Sequence, residues 1–437
     1  MRRRLVVIRA CFFVLAADSS ALRCGRAQAH RPKLPINWQA ACCYLVSGLA
    51  FGKYRDVGKM KILHVVGARP NFMKAAPVVR ALDRSDYVRQ TLVHTGQHYD
   101  FNMSDVFFQE LGLPAPDINL EVGSSSHAQQ TSQIIARFEA VVLARKPDLV
   151  IVYGDVNSTV AAALVCAKLT LPVAHVEAGL RSFDRSMPEE INRILTDDLS
   201  ELLFTPSEDG NHNLERAGID ADKVHLVGNV MIDTLIHMLP KALERLPKNI
   251  PERYALVTLH RPSNVDDVDW LRSLVQTLDD ICSELPVVFP VHPRTRQRIA
   301  ELGISSSRGR SGVQLLQPAP YLEFLALQSR ARVVITDSGG LQEETTFLGV
   351  PCLTIRENTE RPITVDVGTN VLVGRDVQKI RQEVERVLAG QAKCGCIPPL
   401  WDGHAADRIA AVVTDWHAGR SVEPNSSRLP YTFAGSR

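Results

Sequence analysis

At 437 residues, 45% hydrophobic and 22% charged, the chain has the composition of a globular protein long enough for two domains with full cores; collagen-like, coiled-coil and disordered classes are excluded. Fifty basic against 48 acidic residues leave a formal net charge of +2. That balance speaks against a general nucleic-acid or membrane surface, although a small anionic ligand needs only a local patch.

The first 59 residues read apart from the rest. MRRRLVVIRACFFVLAADSSALRCGRAQAH has a basic start, an apolar run broken by Arg9 and small residues near AQA, so it resembles a weak secretory signal. Met60, however, opens MKILHVVGARP, which begins a strand at once as a cytosolic α/β enzyme would. The expectation is a misassigned start or dispensable extension over 1–59, and no run is long and clean enough to span a bilayer. Four of the nine cysteines (Cys11, Cys24, Cys42, Cys43) fall in this extension. The rest are single apart from Cys394 and Cys396, so neither a disulfide framework nor zinc-site spacing emerges and a reducing, cytoplasmic setting is expected.

From Met60 short β-branched runs alternate with amphipathic stretches: KILHVV, TLVH, LVIVY, PVAHV, LLFTP and VHLVG. This is the pattern of a parallel, doubly wound sheet, and the continuously apolar runs suit strands covered on both faces. A Pro-rich stretch around Asn229 to Arg253 reads as a helix plus hinge. A second set follows, YALVTL, PVVFPV, VQLLQP, ARVVIT, PCLTI and NVLVG. The expected architecture is therefore α/β, two Rossmann-like domains over 60–228 and 229–395, a helix at 396–420 crossing back to the first, and a polar tail from 421. Two such domains hold a ligand in the cleft at the carboxyl ends of their strands.

The chemistry-bearing residues cluster after those strands. GARPNFMK places Arg69 and Lys74 just past the first strand, two cations suited to a diphosphate, or merely a solvated helix start. After LVIVY comes Asp155, which could simply cap the helix beginning at Asn157 or Ser158. Glu177 ends a buried strand, where an acid is harder to dismiss. In MPEEINR, Glu189 and Arg193 lie at i and i+4 and could be only a surface ion pair. His260 and His292 follow strands of the second half; each could be a structural residue satisfied by a carbonyl.

TDSGGLQEE follows ARVVI, and its Ser338, Gly339 and Gly340 read as a phosphate cradle at a helix start, with Glu343 and Glu344 expected in the first helical turn. RENTERP adds Arg356, Glu360 and Arg361. Cations, a helix-terminus phosphate site, acids and a His on facing loops describe a nucleotide-diphosphate ligand whose attached group meets acid/base residues. No G-x-G-x-x-G fingerprint, P-loop lysine or compact metal-ligand set is present, so neither a tightly held NAD nor a metal is indicated.

These segments, with TGQHYDFNMSDVFF, YGDVNSTVAAA, HVEAGLRSFDRSMPEEINRILTD, VGNVMIDT, VTLHRPSNVDD and PVHPRT in this order, resemble the non-hydrolysing UDP-N-acetylglucosamine 2-epimerases from Met60 to about residue 418. The resemblance implies a two-domain fold similar to the GT-B glycosyltransferases, a homodimer and a UDP-sugar substrate handled without a cofactor. It implies that Arg69 and Lys74 serve the diphosphate and that Asp155, Glu177, Glu189 and His260 are the acid/base groups. It further implies that Ser338, Gly339 and Gly340 hold phosphate, that Glu344 holds the ribose and that Phe324 lies beside the uracil. Arg361 matches the family's Thr-Glu-Arg-Pro arginine, and Arg193 supports the site.

The implied reaction inverts C2 through loss of UDP and re-addition to 2-acetamidoglucal, for supply of a surface polysaccharide precursor. Some bacterial members carry an activating second substrate site with a Q-H-x-Q segment; this chain reads Gln97-His98-Tyr99-Asp100, so that activation is not expected. TGQHYD and MPEEINRILTD are also shared with epimerases of UDP-2,3-diacetamido glucuronate, whereas RENTERP fits the N-acetylglucosamine branch. A GT-B glycosyltransferase shares the fold but has no reason to keep three acids and a His around C2, and a silent binding module would have lost some of them.

Overall fold

The computed structural model describes residues 59–97, 108, 110–301 and 313–422; the N-terminal extension, the segment from His98 to Phe107 and most of the polar tail lie outside them. The described residues from Lys59 onward belong to one compact unit. In its first half run β1 (Met60–Val66), α1 (Arg69–Asp83), β2 (Val88–His94), β3 (Ile118–Asn119), α2 (His127–Arg145), β4 (Leu149–Tyr153) and α3 (Asn157–Lys168). There follow β5 (Val173–Val176), α4 (Pro188–Leu199), β6 (Leu202–Thr205), α5 (Glu208–Arg216), β7 (Val224–Leu226) and α6 (Val230–Leu243). The second half begins with β8 (Ala255–Thr258), α7 (Pro262–Val265), α8 (Val268–Cys282), β9 (Val287–Pro290), α9 (Pro293–Glu301), β10 (Gln314–Leu316) and α10 (Tyr321–Arg330). It continues through β11 (Val333–Thr336), α11 (Gly339–Leu348), β12 (Cys352–Thr354), α12 (Pro362–Asp366), β13 (Asn370–Leu372), α13 (Val377–Leu388) and α14 (Ala405–Val422).

Both sheets are parallel throughout. The first has the order β3-β2-β1-β4-β5-β6-β7 and the second β10-β9-β8-β11-β12-β13. Strand β4 is buried at every residue, and β8 is buried along Ala255–Val257, which is why these segments read as unbroken apolar runs. The apolar runs of the sequence match all of these strands except β3, whose two residues carry no such signal. In each sheet the strand order reverses at one place, between β1 and β4 and between β8 and β11. Loops leaving the carboxyl ends of strands on either side of a reversal diverge, which opens a crevice there.

Helix α6 belongs to both halves. Asn229 caps it by accepting from the Met231 backbone N–H at 2.9 Å. Its Leu235 and Met238 are fully buried in a cluster that also holds Phe72 and Met73 of α1, Tyr321 and Leu325 of α10, and Ile409 of α14. Burial of each such side chain stabilises the fold by roughly 1.5–3 kcal/mol. Helix α14 packs against α1, and Asp233 of α6 accepts from the backbone N–H groups of Ala405 at 3.2 Å and Ala406 at 2.8 Å. It runs on through Ser421 and Val422, where a tail was expected to begin. Among the described residues no helix is long and apolar enough to cross a membrane.

Candidate active site

The four strands that flank the two reversals each end in a loop that carries candidate residues. Together these loops line a cleft of about 950 Å3 between the sheets. After β1, Arg69 and Lys74 lie on α1, whose Pro70 sits in the first turn, where its missing N–H costs nothing. After β4 come Gly154 and Asp155. Gly154 adopts φ +62, and a Cβ there would lie 2.6 Å from the Lys74 ammonium, so the glycine both takes the left-handed turn and leaves room for that lysine.

Asp155 does not cap the following helix. Val156 occupies the N-cap position, and the Asp155 carboxylate instead accepts from Arg193, which also donates to Glu190. Arg193 thus pairs at i and i−3, not with Glu189 as the i, i+4 spacing suggested. Glu190 is anchored in turn by the backbone N–H groups of Ser182 at 2.9 Å and Phe183 at 3.0 Å. Burial works to raise the Asp155 carboxyl, but the charges of Arg193 and Lys74 outweigh it and hold the group below its ordinary value. Glu189 forms no ion pair among the described residues and faces the cleft.

Glu177 follows β5 in the left-handed region, φ 73, a conformation that costs a non-glycine residue of order 1 kcal/mol and is found where function holds the backbone. Its Oε1 accepts from Lys74 Nζ at 2.8 Å and lies 3.3 Å from Arg361 Nη2. Apart from Arg356, which pairs with Glu360 at 2.6 Å and is absent from the cleft lining, every other candidate lines the cleft; Glu177 is recessed behind Lys74 and Arg361.

The opposite wall comes from the second sheet. His260 stands 59% exposed on the loop after β8, its Nδ1 2.7 Å from the fully buried Asp337 carboxylate at the end of β11. It is thus satisfied by a carboxylate, not by a carbonyl, and Asp337 went unremarked in the sequence as its partner. His292 also lines the cleft. Ser338 occupies the N-cap position of α11 without a side-chain capping bond, and Gly340 has nothing within 4 Å of the place its Cβ would occupy, so the helix N-terminus opens on free space. Because α11 begins at Gly339, Glu343 and Glu344 lie in its second turn, not the first.

Both acids are pushed up to about 7, chiefly by burial; Arg361 opposes the shift at Glu343, and a Tyr321 hydrogen bond opposes it at Glu344. Glu343 accepts from Asn229 at 2.9 Å and lies 3.0 Å from Arg361 Nε. Glu344 Oε1 accepts from Tyr321 at 3.1 Å, while its Oε2 has no hydrogen-bond partner among the described residues. Arg361 is shared by Glu177, Glu343 and Glu360, and Phe324 lines the cleft near Pro318 and Tyr321. The partners Glu190, Glu343 and Asp337 sit beside motifs that were legible, but only the fold shows which charge each one meets.

Two doubly wound parallel sheets facing one charged cleft define a GT-B-like α/β enzyme. A sequence model described as UDP-N-acetylglucosamine 2-epimerase matches residues 80–414, and the chain belongs to that family. The UDP-N-acetylglucosamine 2-epimerase of Methanocaldococcus jannaschii is 42% identical over 365 residues, 81% of this chain and 99% of that protein. The UDP-2,3-diacetamido-2,3-dideoxy-D-glucuronate 2-epimerase of Pseudomonas aeruginosa is 45% identical over 360 residues, 80% of this chain and 98% of that one. The M. jannaschii enzyme solved in complex with UDP-GlcNAc and UDP superposes with a TM-score of 0.74, covering 82% of this chain and all of that one. A glycotransferase of kitacinnamycin, 12% identical with a TM-score of 0.52, shares the fold alone.

Proposed function

We propose that this epimerase interconverts UDP-N-acetylglucosamine and UDP-N-acetylmannosamine at the cleft between its sheets, without a redox cofactor. The observation that carries the reading is the division of the cleft: Asp155 and Glu189 stand on one wall, and the open α11 N-terminus with Arg361 stands on the other. An anion at Ser338–Gly340 meets backbone N–H groups and the positive end of the helix. In this reading Glu344 accepts from ribose hydroxyls and Phe324 offers a face to the uracil; both residues line the cleft.

In the reaction, one carboxylate takes the C2 proton while the C1–O bond breaks and its electron pair passes to the β-phosphate oxygen. This leaves 2-acetamidoglucal beside UDP. Return of a proton to the other face of C2, with re-formation of the C1–O bond, gives the epimer. Asp155, held ionised by Arg193 and Lys74, suits the role of base; Glu177 and Glu189 are the further acid/base groups, with Glu177 reached once Lys74 or Arg361 turns toward the diphosphate. Arg69 serves the diphosphate. The C2 proton is weakly acidic, so stabilisation of the departing UDP and exclusion of water from the glycal carry much of the rate.

A uronate substrate is the second reading, favoured by the 45% identity to the P. aeruginosa enzyme. Free thiols at Cys166 and Cys352 support a reducing, cytoplasmic setting, and a homodimer belongs to the same proposal. Proton NMR of UDP-N-acetylglucosamine with the full chain in deuterated water tests it. The manno epimer with deuterium at C2 in both pools is the expected result; an untouched C2 proton overturns the assignment, and turnover of the diacetamido uronate instead selects the second reading.

A further inference from the structure

We propose that Asp337 is a positioning residue acting through His260: it sets which ring nitrogen of His260 carries a proton and turns the other into the cleft. This rests on the UDP-sugar reading, since a tuned His260 matters only where a ligand reaches it. The placement follows from the sheet. Strands β8 and β11 are neighbours with Thr258 opposite Thr336, so the residues just beyond them meet at the reversal of strand order.

Asp337 is fully buried, yet each of its contacts is a donor. Its oxygens accept the backbone N–H of His260 at 3.2 Å, the backbone N–H of Arg261 at 3.0 Å and Asn264 Nδ2 at 3.0 Å, besides His260 Nδ1 at 2.7 Å. Burial works to raise this carboxyl, but His260, Asn264 and the Arg261 amide outweigh it, so the acceptor stays ionised. An ionised acceptor requires Nδ1–H. Nε2 is then the atom left for the ligand on an otherwise exposed ring. In the imidazolium form, which carries a second proton on Nε2 and whose charge Asp337 balances, that Nε2–H donates to the β-phosphate oxygen as the C1–O electron pair moves onto it.

Asp337 also fastens the 260–264 loop, so a test must separate orientation from scaffolding. Asp337→Asn and His260→Asn are made in the full chain singly and together, and kcat, KM and UDP affinity are measured. The expected result is a fall in kcat of about 10²-fold or more for Asp337→Asn with KM and UDP affinity within about threefold, and no further loss when it is added to His260→Asn. An unchanged kcat in Asp337→Asn, or the same factor lost in the His260→Asn background, overturns the inference. Should Asp337→Asn not fold, nitrogen NMR of the unmutated protein decides: a His260 ring carrying its proton on Nδ1 supports it, and a neutral ring protonated only on Nε2 defeats it. Absence of C2 exchange in the unmutated enzyme removes the substrate reading instead, and leaves the ring measurement to judge Asp337.

Discussion

Asp155 and Arg193 meet at the carboxyl edge of the first sheet, an acid from the end of β4 against a guanidinium held on its other side by Glu190. The pair keeps Asp155 ionised while leaving part of it open to the cleft, its side chain 23% exposed. Replacing Asp155 by Asn is expected to lower turnover by about 10²-fold or more while UDP binding stays within a few-fold. C2 exchange by NMR and UDP titration by calorimetry read the two quantities; unchanged turnover would remove Asp155 from the chemistry.

Two adjacent glycines should behave differently. A Cβ on Gly339 would lie 2.6 Å from both Arg361 Nη1 and Glu360 Oε1, whereas one on Gly340 meets no protein atom. Gly339→Ala is expected to lower the melting temperature by several degrees, through an overpacking cost of roughly 1–3 kcal/mol. Gly340→Val should melt near the parent and lose UDP affinity by about tenfold or more, a change of ~1.4 kcal/mol. A Gly340→Val protein binding UDP normally would show that phosphate lies elsewhere.

Arg361 is the hub of three buried carboxylates. Removing one partner of a buried ion network strands the others, at a cost of about 3–5 kcal/mol. Arg361→Ala is therefore expected to shift the urea midpoint down strongly and to weaken UDP binding. Equilibrium unfolding with and without UDP checks both; a stability loss under about 1 kcal/mol would mean that Lys74, Arg356 and Asn229 satisfy the three carboxylates without it.

Much of this arrangement was legible beforehand, and the reasons are physical. Strands covered on both faces announce themselves as apolar runs, and the loops after them carry the site, so most candidates fell on the cleft wall. Strand β3, two residues long, has no periodicity to read. The start of α11 at Gly339 moved Glu343 and Glu344 one turn inward, because two glycines entered the helix that sequence propensity would leave outside. Pairings such as Arg193 with Asp155, or Asp337 with His260, join segments 38 and 77 residues apart. Local spacing cannot specify those partners. The recess of Glu177 has the same origin, since it depends on cations from two other segments.

Acid should weaken the fold through a buried residue that does not line the cleft. His64 in β1 is fully buried, its Nδ1 2.7 Å from Tyr153 Oη and its Nε2 2.9 Å from Gln90 Oε1, and burial lowers its pKa to about 4. Such a group binds its proton more tightly when unfolded. Its contribution is whole above the unfolded value near 6.5 and is lost as pH falls from there toward 4, by up to roughly 3 kcal/mol. Urea midpoints across that window should decline, and His64→Gln should flatten the decline. An identical slope in both proteins would place the acid sensitivity elsewhere.

Because the buried face of α6 is shared by α1, α10 and α14, one apolar cluster runs across both halves beside the clusters that each sheet keeps to itself. Severing the chain between the sheets would leave each fragment with an oily seam in water, so the two halves are obligate companions, recoverable in soluble form by co-expression as complementing fragments and not as separate modules.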